Sequence, residues 1–300
     1  MVEQANIVKH GKLVSYDEWS KYIGSLKNQV DKKITEEPVA IDEIKNKLVE
    51  SVKNRIPKKK FGIFFSGGVD STLIAFLCKK FTDNFICYTV GMENSKDILF
   101  SEKVAKELKL NYKKKIFSLE EMEDIFEETA EILGEDLNIV NLGVGAVELT
   151  AIKLAKQDKI NIFFGGLGSE EIFAGYQRHE NSKEVNKECW IGLNLTYKRD
   201  FIRDFKIANA TNTIFLTPFL DKELIIKAMN IDASLKLKSN YKKYILRKVA
   251  QDLGLKKEFS FRPKKAAQYG SSFDKAIKKL AKSKGYKYKK AYLNFLSDNK

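Results

Sequence analysis

The hydrophobic and polar positions of this chain follow two different periods, and the change falls near residue 60. Residues 41–56 place apolar side chains at near-helical spacing, which predicts an amphipathic helix that ends at Pro57. From residue 61 to residue 166, short apolar runs of strand length alternate with helical patterns. This alternation predicts a parallel sheet with helices on both faces. The pattern beyond about residue 176 is mainly helical, so we predict an α/β fold with a mainly helical C-terminal part.

The alternating segment contains four predicted strands and four predicted helices. The strands are residues 61–65, 85–91, 113–117 and 160–166. The helices are residues 72–81, 101–110, 118–133 and 145–157. Upstream, we expect one helix that begins near Ser15 or Asp17, followed by a polar linker that runs through Glu37 and Pro38.

Positive charge is concentrated at one end of the chain, which has 300 residues and a formal net charge of +14. Residues 1–235 hold 34 basic and 36 acidic side chains, whereas residues 236–300 hold 20 basic and 4 acidic ones. A surface that faces nucleic acid or another polyanion would explain this excess, and so would a set of solvated helix faces. Lysine and tyrosine alternate in residues 285–295, and these side chains either stack on RNA or pack in a short amphipathic helix or strand through three aromatic rings. The rings are those of Tyr286, Tyr292 and Phe295.

Cysteine content and hydropathy exclude several classes of protein. Cys78, Cys87 and Cys189 are odd in number and never spaced as CxxC, which disfavours a disulfide framework or a four-cysteine zinc site. No window approaches about 18 uninterrupted apolar residues, and residues 1–12 lack the apolar stretch of a signal peptide. We therefore expect a soluble cytoplasmic protein that does not bind membranes.

The segment most informative about chemistry is FFSGGVDSTLIAFL, in which a predicted strand turns into a predicted helix. Gly67 and Gly68 let the backbone approach a ligand closely and adopt a positive φ. The N–H groups of such a loop and of the helix N-terminus that follows form an anion site. Ser66 and Ser71 add hydroxyl donors, and Asp70 can hold Mg²⁺ against phosphates.

This loop matches neither of two common nucleotide motifs, because GxxxxGK[ST] and GxGxxG are both absent from it. It resembles the SGGxDS pyrophosphate loop of the ATP-pyrophosphatase superfamily, whose members cleave ATP to AMP and pyrophosphate. That superfamily includes asparagine, argininosuccinate, GMP and NAD synthetases, and also tRNA-lysidine and tRNA-thiolating enzymes. The loop alone does not select among them.

Four ordered blocks narrow the choice, because they resemble segments of the synthetase domain of asparagine synthetases. Residues 160–179 resemble SG[ED]G[AS]DE[LV]FGGY, residues 217–225 resemble VPFLD, residues 241–255 resemble the K-x-xLRKA helix, and residues 261–270 resemble the RxKxxFxxG loop. The resemblance implies an adenine nucleotide alpha-hydrolase-like domain over residues 41–280. Residues 1–40 would then be an N-terminal appendage and residues 281–300 a Lys-rich C-terminal tail.

The resemblance also implies a reaction, in which an aspartate side chain is adenylated, pyrophosphate leaves and ammonia attacks the acyl-adenylate. ATP and Mg²⁺ are the implied cofactors. The residues that would cradle the β- and γ-phosphates are Ser66, Gly67, Gly68, Asp70 and Ser71.

Further site residues follow from the same resemblance. Asp70 would share Mg²⁺ with Glu170, which stands where the family has Asp. Lys264 would neutralise the charge that develops on the phosphates, so Asp70 and Lys264 are the implied catalytic residues. The other implied contacts to the nucleotide are Val90, Gly91 and Gly166.

The first departure from the family pattern concerns the source of nitrogen. Full-length family enzymes carry an N-terminal glutaminase domain with a nucleophilic cysteine after Met1, whereas residue 2 is Val here. About 40 residues precede the synthetase-like part. We therefore expect free ammonia, a separate glutaminase subunit or a different nucleophile to supply the transferred group.

The other departures lie in the expected active-site cleft. Leu167 replaces the acidic residue of SG[ED]G, which implies an altered acceptor or impaired chemistry. An apolar run at residues 214–216 replaces the family's E-x-R, which implies a remodelled pocket or, as we favour, a repacked core. We predict that His179 is a surface residue, with a position lining the cleft as the alternative.

Three functions remain open from the sequence. The first is a carbon–nitrogen ligase that adenylates a small carboxylate, aspartate or an analogue, for amidation by ammonia. The second is a tRNA-modifying ATP-pyrophosphatase, which the basic C-terminal region favours and the missing CxxC opposes. The third is a nucleotide- or RNA-binding relative that has lost catalysis, which Leu167 favours. We predict the first.

Overall fold

A five-stranded parallel sheet lies at the centre of the structure, a computed structural model that describes residues 7–263 and 266–298. A short hairpin of β1 (Val8–Lys9) and β2 (Lys12–Leu13) precedes the sheet. The strands of the sheet are β3 (Phe61–Phe64), β4 (Phe85–Met92), β5 (Tyr112–Phe117), β6 (Ile162–Phe164) and β7 (Ile214–Leu216). Their order is β5-β4-β3-β6-β7, and every neighbouring pair is parallel.

Helices surround this sheet and make up most of the chain after β6. The α-helices are α1 (Tyr16–Lys27), α2 (Glu37–Arg55), α3 (Val69–Phe81), α4 (Lys96–Glu107), α5 (Leu119–Leu133), α6 (Ile139–Lys156), α7 (Ser169–Ile172), α8 (Gln177–Glu180), α9 (Val185–Thr196), α10 (Ile202–Thr211), α11 (Lys222–Asn230), α12 (Ala233–Lys236), α13 (Tyr244–Asp252), α14 (Lys257–Ser260), α15 (Ala267–Gly270), α16 (Phe273–Ser283) and α17 (Lys289–Asp298). A π-helix (Tyr197–Phe201) joins α9 to α10, and 3₁₀ turns lie at Gly134–Asp136 and Pro218–Leu220. Within the described residues, no helix is long and apolar enough to cross a membrane.

The predicted α/β fold is confirmed, but the series of strands does not close at residue 166. The run Ile214–Leu216 forms β7, which pairs with β6 at the edge of the sheet. The sequence analysis missed this strand because three apolar residues are too few to show a period. Leu216 is buried in the core, as expected for repacking, and Phe215 packs edge-on against Phe64 with ring centroids 5.1 Å apart.

The N-terminal helices begin where their capping residues place them. The Ser15 hydroxyl accepts a hydrogen bond from the N–H of Glu18, and the Glu18 carboxylate accepts one from the N–H of Ser15. This capping box starts α1. The expected linker through Glu37 and Pro38 is wrong, because α2 begins at Glu37. Proline suits the first turn of a helix, where its missing N–H leaves no intrahelical bond unmade.

Three aromatic side chains near the C-terminus pack against the domain rather than standing free. Tyr292 of α17 is fully buried, and its ring centroid lies 6.1 Å from that of Tyr286 and 6.2 Å from that of Phe295. Helix α17 contacts α5, α6 and α16. The packing interpretation of residues 285–295 is therefore confirmed for these three rings.

Strand β3 lies where the order of strands reverses. β4 and β5 extend the sheet on one side of it, and β6 and β7 extend it on the other. The carboxyl ends of the adjacent strands β3 and β6 therefore lie side by side, and one glycine-rich loop follows each of them. Open α/β sheets bind ligands at such a switch point.

Candidate functional site

The loop between β3 and α3 is tied together by its own serines. The N–H of Ser66 donates to the Ser71 hydroxyl at 3.3 Å, and the N–H of Gly68 donates to the Ser66 hydroxyl at 3.2 Å. Gly67 has a φ of +69°, and a Cβ on it would lie 2.9 Å from Ser101 Cα in α4. Glycine fits this combination of positive φ and close packing, whereas an L side chain would strain it. The loop is therefore a tight turn that leads directly into the N-terminus of α3.

Two carboxylates from different loops meet at one lysine. The Lys243 ammonium donates to Asp70 Oδ2 at 2.6 Å and to the Ser169 hydroxyl at 3.0 Å, and it forms an ion pair with Glu170. Asp70 lies in the first turn of α3, and Glu170 lies in α7, which follows β6. Gly175 leaves room for this contact, because a Cβ there would lie 2.5 Å from Lys243 Cε. One buried charge thus bridges the two loops at the switch point.

Lys243 was not singled out by the sequence analysis. Its side chain is 1% exposed. Burial opposes its positive charge, but Asp70 and Glu170 raise the pKa of its ammonium group above the ordinary value. Lys243 is the first residue of the K-x-xLRKA resemblance, so a signal was present. Its distance of 173 residues from Asp70 concealed the pairing.

Two arginines fasten the C-terminal segment to the loop between β3 and α3. Arg262 donates from Nη1 to the Ser66 carbonyl oxygen at 2.6 Å and from Nη2 to Asp97 Oδ1 at 2.9 Å. Arg247 donates from Nη1 to the carbonyl oxygens of Arg262 at 2.9 Å and Ser260 at 2.8 Å. Hydrogen bonds to charged groups contribute about 1.5–3 kcal/mol each. These bonds hold the end of the segment at Arg262 against the loop.

A cavity of about 210 Å³ opens beside the loops at the carboxyl ends of the strands. The predicted nucleotide contacts that line it are Ser66, Asp70, Ser71, Val90 and Gly166. Gly91 is not brought there, because it lies beneath neighbouring backbone: a Cβ on it would lie 3.1 Å from the Ser271 carbonyl oxygen. The predicted catalytic residue Lys264 lies outside the described residues. Ala267, three positions after it, lines the cavity.

The carboxylate pair provides donor atoms of the kind that magnesium prefers. Asp70 Oδ1 is buried and has no hydrogen-bond partner among the described residues. Mg²⁺ is usually held by one or two carboxylates, with waters and substrate phosphates in its other positions. In the described part of the chain, no group of three or more His, Cys, Asp or Glu side chains could hold a metal ion. Asp70 and Glu170 therefore fit a cation that the phosphates of a bound nucleotide help to hold.

A buried ion pair also involves α7, the helix that carries Glu170. Glu171 is fully buried and forms an ion pair with Arg199 of the π-helix, whose Nε donates to Asp200 Oδ2 at 2.8 Å. Burial raises the pKa of Glu171, and Arg199 opposes the rise. The pair anchors α7, the helix that carries Glu170, to the helices outside the sheet.

The expectation that His179 is a surface residue is wrong, because its side chain is fully buried. Its Nδ1 accepts a hydrogen bond from the N–H of Tyr176 at 3.1 Å, which starts α8. Burial, with a smaller effect of Arg178, lowers the pKa of His179 to about 4. The imidazole is therefore neutral at physiological pH and acts as a capping group.

Sequence comparison relates the chain to known proteins. The model of the asparagine synthase family matches residues 43–214 and 177–298. A Methanocaldococcus jannaschii protein classed as a glutamine-hydrolysing asparagine synthetase is 34% identical over 292 residues, covering 83% of this chain and 53% of that protein. The glutamine-hydrolysing asparagine synthetase of Gallus gallus is 30% identical over 230 residues, covering 73% of this chain and 41% of its own length. The chain thus spans about half the length, or less, of these relatives.

Solved structures resemble the chain at low sequence identity. The NH₃-dependent NAD synthetase of Campylobacter jejuni has a TM-score of 0.39 and 17% identity, covering 89% of this chain and 95% of that chain. The NMN synthetase of Francisella tularensis has a TM-score of 0.42 and 14% identity, covering 89% and 94%. These values are too low to support a functional comparison.

Proposed function

The chain belongs to the asparagine synthase family, and from that membership we propose that it is an ATP-dependent carbon–nitrogen ligase. In this proposal it cleaves ATP to AMP and pyrophosphate, adenylates a carboxylate and transfers nitrogen to the activated carbon. One observation carries the proposal: Asp70, Glu170 and Lys243 converge where the two glycine-rich loops meet at the switch point of the sheet.

The proposed chemistry has two steps. A carboxylate oxygen of the acceptor attacks the α-phosphorus of ATP, the bond from that phosphorus to the bridging oxygen breaks, and pyrophosphate leaves with the electron pair. Ammonia then attacks the carbonyl carbon of the acyl-adenylate, the bond to the AMP oxygen breaks, and the nitrogen releases a proton. Positioning and charge stabilisation are what a protein supplies to phosphoryl transfer of this kind.

The residues of the two loops have different roles in the proposed reaction. The N–H groups from Gly67 to Ser71 and the N-terminus of α3 bind the leaving pyrophosphate, because backbone donors and the helix dipole favour negative charge. Asp70 and Glu170 hold Mg²⁺, which offsets the negative charge of the phosphates. Lys243 holds both carboxylates at one point.

Lys264 completes the proposed catalytic group from the C-terminal segment. Described residues on both sides of Lys264 lie at the site. Arg262 donates to the Ser66 carbonyl oxygen, and Ala267 lines the cavity of about 210 Å³, which we call the nucleotide cavity. A lysine on this segment is therefore suited to stabilise the negative charge that develops on the phosphates during adenylyl transfer.

Membership of the family indicates the kind of nitrogen donor and acceptor but does not identify either molecule. Aspartate is the family's acceptor and is therefore the first carboxylate to assay. Free ammonia or a separate glutaminase subunit supplies the nitrogen in this proposal. Glutamine hydrolysis is part of the names of the two relatives, which are longer proteins than this chain.

Exchange of radiolabelled pyrophosphate into ATP tests the proposal, because it requires only the adenylation step. We expect exchange that depends on an added carboxylate and falls at least about 100-fold in Asp70→Asn. Asp83→Asn is the matched control, since Asp83 lies just beyond α3 with a side chain that is 87% exposed. Equal exchange in both variants, or AMP formation that requires tRNA instead of a small carboxylate, would contradict the proposal.

A further inference from the structure

A second and larger cavity lies next to the nucleotide cavity. It has a volume of about 370 Å³ and is lined by residues of the N-terminal hairpin, the π-helix, α10, β7 and the loop after β6. Binding sites for small molecules commonly have volumes of about 300–1,000 Å³. Its apolar lining includes Ile7, Leu13, Leu167, Phe205, Ile214 and Phe215.

The positions that depart from the family pattern line this cavity. Leu167 stands where the family has an acidic residue, and Ile214 and Phe215 stand where it has E-x. All three are half-buried and apolar. The interpretation of residues 214–216 as a repacked core is therefore incomplete, because two of the three side chains face a space large enough for a ligand.

The two cavities share a wall. Gly166 lines the nucleotide cavity, and the next residue, Leu167, lines the apolar one. Phe64 lines the nucleotide cavity, and its ring packs edge-on against Phe215, which lines the apolar one, with centroids 5.1 Å apart. The two cavities are therefore neighbours, separated by the backbone at residues 166–167 and by the rings of Phe64 and Phe215.

The charges around the apolar cavity disfavour a second carboxylate on that molecule. None of the described residues that line it is Lys, Arg or His. Asp204 lies in its wall and forms an ion pair with Arg203. Arg203 also forms ion pairs with Asp200 at 3.3 Å and with Glu148 at 3.7 Å. A dicarboxylate would bring its second negative charge beside Asp204, where the described lining includes asparagine and threonine residues but no cation to receive that charge, which is unfavourable.

We propose that the apolar cavity holds the body of the carboxylic acid that this chain activates. The acceptor is then a monocarboxylic acid with an aliphatic or aromatic body rather than a dicarboxylic acid such as aspartate. This inference rests on the proposed function, since it names the acceptor class of the same adenylation reaction.

Pyrophosphate exchange with a panel of acids tests the inference. Straight-chain monocarboxylates from butanoate to octanoate, 3-phenylpropanoate, aspartate and glutarate are compared at equal concentration. We expect the exchange efficiency to rise about fourfold for each added methylene until the cavity is filled, as burial of a methylene predicts. Aspartate and glutarate should lie at least about tenfold below the best apolar acid.

A charged substitution in the cavity wall provides the second arm. Leu167→Glu should lower exchange with the best apolar acid at least about tenfold and leave calorimetric binding of Mg-ATP within about twofold of wild type. Leu195→Glu is the matched control, because Leu195 of α9 is 43% exposed and should change neither quantity.

The outcomes separate the two proposals. Exchange with aspartate or glutarate but with no apolar acid overturns the acceptor assignment and leaves the ligase proposal standing. Equal exchange in Leu167→Glu and wild type also overturns it. Failure of Mg-ATP to bind, or binding without exchange for any acid, overturns the ligase proposal and the acceptor assignment with it.

Discussion

Removal of the Lys243 ammonium group is expected to destabilise the fold strongly, because it leaves two carboxylates without their shared counter-charge. Lys243→Met keeps a long apolar stem and removes the charge that contacts Asp70 at 2.6 Å. The side chains of Asp70 and Glu170 are only 18% and 11% exposed, so water cannot fully replace the lysine. Breaking a buried ion pair by removing one partner costs about 3–5 kcal/mol of the free energy of unfolding.

The assay is urea unfolding in the presence of a chelator, with Lys242→Met as the matched control. Lys242 is the preceding residue, and its ion pair with Glu180 at 2.7 Å is partly exposed, with the two side chains 27% and 30% exposed. We expect the control to lose at most about 1 kcal/mol, as partly exposed pairs do. A difference of less than about 1 kcal/mol between the two variants would refute the assignment of Lys243 as the buried counter-ion.

A further arm follows from the same electrostatics. Added Mg²⁺ should raise the free energy of unfolding of Lys243→Met more than that of wild type, because the ion then has the carboxylate pair to itself. An equal response to Mg²⁺ in both proteins would contradict a metal site at Asp70 and Glu170.

Three other predictions concern pH, packing and nucleotide binding. Burial lowers the pKa of His179 to about 4, so the stability that the neutral imidazole contributes is complete above about pH 6.5 and is lost as pH falls through about 4. The resulting loss in the free energy of unfolding is at most about 3 kcal/mol. His179→Asn keeps a hydrogen-bond acceptor, so its free energy of unfolding should depend less on pH across this range. His10→Asn, at an exposed site, should leave the pH dependence of the wild type unchanged. Gly175→Ala should cost about 1–3 kcal/mol by thermal unfolding, because its Cβ would crowd the lysine and a carboxylate, whereas Gly24→Ala has open space and should be neutral or stabilising. Arg262→Leu should weaken calorimetric Mg-ATP binding about tenfold by freeing the Ser66 carbonyl, and unchanged affinity would contradict its role.

Local chemistry made the turn between β3 and α3 predictable from the sequence. Consecutive glycines at residues 67 and 68, between an apolar run and a helical pattern, specify a tight strand-to-helix turn without reference to the rest of the chain. The capping boxes at Ser15 and Ser118 begin helices for the same local reason. The parallel sheet followed from the alternation of strand and helix, which is also a property of consecutive residues.

Long-range contacts account for what the sequence analysis missed. Lys243 belongs to the most basic part of the chain, yet it is buried between two acids that only the folded sheet brings to it. Strand β7 exists because Leu216 and its neighbours pair with β6, a contact that a three-residue run does not reveal. The apolar cavity required the same information, since its walls come from three separate stretches of the chain: residues 7–13, Leu167 and residues 201–217.

The products formed from ATP test the central claim most directly. ATP labelled at its α-phosphate would be incubated with the protein, Mg²⁺, ammonium and a mixture of carboxylic acids. The ligase proposal requires that the label be recovered as AMP, in step with amide formation, and that this product disappear in Asp70→Asn but persist in Asp83→Asn. Recovery of the label as ADP, or equal amounts of AMP from both variants, would contradict it.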